Sequence, residues 1–98
     1  MMNDKRKKKR LFPLGQVVAT PGALEALEEA GQDAAEFLSR HVSGDWGEVP
    51  AEDARENDLS VKQGFRILSA YSLTTDVKIW VITEADRSAT TLLLPSEY

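Results

Sequence analysis

Cysteine is absent from this 98-residue chain, and histidine occurs once. The first absence excludes disulfides and thiolate metal sites. The second excludes multi-histidine zinc patterns. No apolar run approaches the roughly 18 residues that cross a bilayer. The N-terminus is basic, as in a signal peptide. The stretch behind it, LFPLGQVVAT, is broken by Pro13, Gly15 and Gln16 and offers no continuous apolar segment. A cytoplasmic protein without membrane contact is expected. No nucleophile motif, phosphate-binding loop or metal-ligand ladder is found. The expectation is therefore a non-enzymatic protein with no cofactor, no metal and no small-molecule substrate.

What the chain does have is charge in two opposed blocks. Residues 1–10, MMNDKRKKKR, carry six basic residues and one acid, about +5. The other 88 residues carry six basic residues and fifteen acids, about −9, and the two blocks sum to the net −4. A low-complexity cationic run buries nothing and repels itself, so residues 1–10 read as a disordered tail. Residues 11–98 read as one domain, a size at which a single small core is expected.

Along that domain the local signals are ordered. Gln16 to Thr20 contains adjacent valines and reads as a short strand. Thr20-Pro21-Gly22 opens a helix, with Thr20 as N-cap and Pro21 at the first helical position. Gly31 ends it. Asp33 opens a second helix, and Glu36 three residues on completes a capping-box spacing. Phe37, Leu38, His41 and Val42 form its apolar stripe. Pro50 starts a charged third segment that ends at Gly64. From Phe65 the period becomes two. Phe65, Ile67, Tyr71 and Leu73 share a face; Val77, Ile79 and Val81 share the next, with Trp80 and Ile82 opposite. Apolar residues on both faces of that strand predict cover on two sides. Thr90 to Leu94 forms a last strand, stopped by Pro95. The expected fold is α+β: a short N-terminal β element, two to three helices, then a three-stranded antiparallel meander packed against the helices.

The strings FPLGQVVATPGALEAL, SGDWGE and KIWVITEADRSATTLLLPSEY resemble a family of small bacterial proteins of plasmids and other mobile elements, whose function is unassigned. The resemblance covers residues 12–98 and implies a bacterial, mobile-element setting. It carries over no catalytic residue and does not reach the basic tail. The order of elements also resembles the RelE/ParE-like toxins of toxin–antitoxin modules, a likeness of fold alone. Those proteins need a cationic face, whereas this body is acidic.

Several residues are candidates for contact or chemistry. Lys5, Arg6, Lys7, Lys8, Lys9 and Arg10 would neutralise phosphates and give salt-sensitive, sequence-independent nucleic-acid affinity; the plainer reading is a solvated tail. His41 near Asp45 and Glu48 suggests a general base; the plainer reading is a helix-terminal histidine whose charged form the helix dipole favours. The loop Gly44-Asp45-Trp46-Gly47-Glu48 presents Trp46 as an interface anchor or folds it inward as a plug. Its two carboxylates are weak grounds for a divalent cation. Arg87, in the turn Glu84 to Ser88, would pair with Glu84 or Asp86 or meet a partner at the tip. The strand TTLLL reads as a sheet edge whose Leu92 and Leu94 need cover from the first strand, a helix or a second copy. A protein partner or a homodimer through Asp45, Trp46, Arg87, Leu92 and Leu94 is the leading expectation. A nucleic-acid accessory role comes second. Third is a toxin-like hydrolase that brings His41 together with Arg66 or Arg87.

Overall fold

The computed structural model describes residues 9–98. Lys5, Arg6, Lys7 and Lys8 of the basic tail lie outside them; Lys9 and Arg10 lie inside and are exposed. The elements run β1 (Gln16–Ala19), α1 (Pro21–Ala30), α2 (Ala34–Val42), α3 (Ala51–Gln63), β2 (Ile67–Ser72), β3 (Lys78–Thr83) and β4 (Ala89–Leu93), closed by a 3-10 turn at Pro95–Glu97. This is the α+β order that the sequence predicts.

The helix ends follow local chemistry. The Thr20 hydroxyl accepts from the Ala23 N–H at 3.1 Å with Pro21 behind it, and Gly31 closes α1 at φ 67°. Asp33 caps α2 through the Ala35 N–H. Its partner Glu36 does not reach back to complete the box; it takes the Gln32 amide instead.

The sheet order is β1-β4-β3-β2, with β2–β3 and β3–β4 antiparallel and β1–β4 parallel. β4 is therefore not a sheet edge: of the three covers expected for it, the first strand supplies the one that forms. Leu92 is fully buried and Leu94 half-buried, so neither lines an open edge. The physical reason is the close approach at Gly15. A Cβ there would stand 2.4 Å from the Arg87 and Ser88 carbonyls, so only glycine lets the chain enter alongside β4.

Helices roof one sheet face. α1 packs on β4 and α2 on β3. Ala23, Ala26, Leu27 and Phe37 meet Tyr71, Leu73, Ile79, Val81 and Leu92 there. A second cluster of Phe12, Val42, Trp46 and Ile67, flanked by Ala54 and Val61, joins α3 to the same side. The opposite face carries Leu68, Trp80, Ile82, Thr91 and Leu93, by strand alternation and register. None of these belongs to either helix-side cluster. The expected cover on both faces of β3 is thus met by helices on one face only.

Candidate functional site

His41 sits in the last turn of α2 with no exposure at all. Its Nδ1 lies 2.6 Å from Ser69 Oγ and its Nε2 2.9 Å from Thr83 Oγ1. Thr83 Oγ1 lies 2.7 Å from Thr90 Oγ1, which donates to the Leu14 carbonyl at 2.7 Å. Donor counting fixes the protons. Thr90 has one hydrogen and gives it to Leu14, so Thr83 must donate to Thr90. Thr83 can then only accept from His41, which therefore carries its proton on Nε2 and accepts at Nδ1 from Ser69. Burial, and next the charge of Arg87, push the His41 pKa down to about 4. This overturns the expectation of a dipole-favoured imidazolium: loss of solvent outweighs the helix end. The ring is wedged edge-on between Phe12, at 5.3 Å, and Trp46, at 6.0 Å. No substrate can reach it in this conformation, so it acts as a buried crosslink between α2, β2 and β3.

The loop before α3 is pinned from several sides. Arg40 forks onto Asp45, with Nε to Oδ2 at 2.7 Å, and lies 4.5 Å over the Tyr71 ring. Asp45 Oδ1 also accepts from the Gly47 N–H, and its carbonyl from the Tyr71 hydroxyl at 2.7 Å. Burial pushes the Tyr71 phenol up to about 12. Trp46 is 6% exposed and its indole N–H donates to Asp58 at 3.0 Å. It plugs the gap between helices and sheet and offers no surface to a partner. Glu48 reaches Lys78 and Ser72, which hold its carboxyl below the usual range. Among the described residues no group of three or more acids or histidines could hold a metal ion.

Among the described residues Arg87 forms no ion pair with Glu84, Asp86 or any other carboxylate. It stands at φ 61°, stacks 5.4 Å over Phe12, and donates to the carbonyls of Phe65 at 2.7 Å and Ser60 at 2.9 Å. It adds a side-chain donor at the end of α3, where the Ser60 carbonyl also accepts from the Gly64 N–H. Arg66 is elsewhere: it donates to the Tyr98 hydroxyl at 2.6 Å, and Tyr98 packs edge-on to Trp80 at 5.5 Å on the face away from the helices. His41 and Arg66 thus lie on opposite sides of the sheet, whereas His41 and Arg87 both lie against the Phe12 ring. The convergence of His41 with Arg66 is not formed.

Two features escaped sequence reasoning. The first is Asn57, buried in a helix that reads as a charged segment. Its side-chain amide donates to the Leu68 carbonyl at 2.8 Å and accepts from the Leu68 N–H at 3.3 Å. Beside it, Ala70 exchanges hydrogen bonds with the carbonyl of Trp46 and the N–H of Glu48. The outer edge of β2 is therefore sealed by a side chain and a loop. That seal needs Gly47, where a Cβ would stand 2.0 Å from the Ala70 carbonyl. The second feature is the unroofed sheet face. There Ile82 and Leu93 lie buried under partly buried Trp80 and the Arg66–Tyr98 pair, with Val18 and Tyr98 exposed. No family model, curated protein or solved structure matches the chain.

Proposed function

We propose that this domain is a small protein-interaction module of a bacterial mobile element, acting by contact rather than by chemistry of its own. The observation that carries the reading is the unroofed sheet face. An aromatic and cationic platform of Trp80, Tyr98 and Arg66 over buried Ile82 and Leu93 has the composition of an interface core, where Trp, Tyr and Arg concentrate binding energy. The mobile-element setting rests on the resemblance of residues 12–98 described above. Asp45, Trp46 and Leu92 contribute through the scaffold, since each is engaged inside it.

The test compares wild-type protein with Tyr98→Ala and Trp80→Ser as bait in the native host. Tyr98 is 64% exposed and Trp80 only partly buried, and neither belongs to a helix-side core cluster, so the fold should survive, as a thermal melt would verify. A host protein retained by wild type and lost with both variants is expected. Retention of the same proteins by all three baits would overturn the assignment to this face.

The charge split favours a second reading, nucleic-acid contact through Lys5 to Arg10. Deleting residues 1–10 should then abolish binding to duplex DNA, and wild-type binding should fall steeply between low and physiological salt. Unchanged affinity after the deletion removes this reading.

A further inference from the structure

The two edges of the sheet are treated differently, and the difference points to an occupant. At β2 the groups of Leu68 and Ala70 are already engaged by Asn57 and the Trp46–Glu48 loop. At β1, among the described residues, no side chain or loop engages the outward groups in this way. Gln16 and Thr20 donate to the Ser88 and Leu92 carbonyls, so by strand alternation Val17 and Ala19 aim their N–H and C=O groups away from β4. Val17 is 43% and Val18 42% exposed.

We propose that β1 pairs antiparallel with β1 of a second copy of this chain, making one continuous sheet across a two-fold axis. The pattern is self-complementary. With Val18 on the axis, Val17 of each strand stands opposite Ala19 of the other. Each such pair exchanges N–H···O=C bonds in both directions. Val18 meets its own counterpart on the unroofed face. Charge favours a copy of the same chain over a charged partner. Residues 11–24, LFPLGQVVATPGAL, are the longest run without a charge in a chain that has 28 charged residues. Two anionic bodies therefore meet at a strand that carries no like charges. The sealed β2 edge stops growth in the other direction, so pairing closes at two copies and forms no fibre. A four-residue strand buries little area, so the dimer is weak, with Kd on the order of 10–1000 µM.

The inference extends the interaction reading by naming one partner and does not require the Trp80–Tyr98 platform to bind anything. Sedimentation velocity on the full chain across that concentration range tests it. Wild type should shift reversibly towards twice the monomer mass. Val18→Lys and Val18→Glu each place like charges opposite at the axis, and each should weaken association at least about tenfold. Mixing the two variants in equal amounts should restore dimer. Val17→Pro removes an N–H that points away from β4, so it should fold and remain monomeric. A wild type that is monomeric at about 1 mM, or Val18 variants that associate as wild type does, would overturn the proposal. So would a mixture that gains no dimer. Loss of partner capture by Tyr98→Ala with dimerisation intact would separate the two readings.

Discussion

Acid should loosen this protein well before its carboxylates protonate, and His41 is the cause. In the unfolded chain the imidazole titrates near 6.5. In the fold it is fully buried, neutral, and titrates at about 4. Between those values the unfolded state binds a proton that the native state refuses, so stability falls as pH falls. Above pH 6.5 both states are neutral and the effect vanishes. At pH 5 the difference costs about 2 kcal/mol, and below pH 4 it levels off near 3 kcal/mol. For a domain of this size, 2 kcal/mol is a substantial share of total stability and corresponds to a Tm loss on the order of 10 °C. The carboxyls of Glu48, Asp86 and Glu97, all held below their usual values by hydrogen bonds, act in a lower window. Their contribution is present above about pH 4.5 and is lost only below it. Urea unfolding at pH 7, 6 and 5, beside NMR of the His41 ring, separates the two. The prediction is a steady loss from pH 6.5 to 5 with a ring signal that stays neutral in the native state. A His41 that titrates near 6.5 in folded protein, or stability flat from pH 7 to 5, would refute the buried-neutral assignment.

Further expectations concern the seals around β2. Asn57→Ala leaves the Leu68 N–H and C=O without their partner and should cost about 1–3 kcal/mol by denaturant unfolding, with increased aggregation as the edge opens. Gly47→Ala drives a methyl group into the Ala70 carbonyl and should cost about 2–4 kcal/mol in the same assay. Arg87→Ala should destabilise more than Arg87→Gly by roughly 1 kcal/mol. Both lose the carbonyl contacts, but only glycine is at ease at the left-handed backbone of that turn.

Much of this fold is legible in the sequence because its signals are local. Thr20-Pro21, Gly31, Asp33 and Gly64 mark helix ends through caps that need no tertiary partner. The alternation from Ile67 to Leu73 gives a strand by period alone. What the sequence hides is pairing over distance. β4 looked like an edge because β1 and β4 are far apart in the chain, and only the glycine at position 15 hints that two backbones meet there. α3 read only as a charged segment because its buried residues, Asn57 and Ser60, are polar, and Asn57 acts through hydrogen bonds to the Leu68 backbone. Hydrophobic periodicity does not register such contacts. His41 was read by its place at a helix end, but its state is set by Ser69, Thr83 and Thr90, hydroxyls delivered by three different strands. The platform at Trp80 was missed for the same reason. An apolar strand face looks alike in sequence whether a helix roofs it or the C-terminal Tyr98 merely leans on it.

The central claim is that helices roof one face of the sheet and leave the other available for contact. NMR line broadening of dilute wild-type protein by a soluble paramagnetic gadolinium chelate reads this at both indoles at once. Strong broadening of Trp80 and Tyr98 ring signals, with Trp46 and His41 untouched, is the result expected. A Trp80 as well shielded as Trp46 would show a covered face and contradict it.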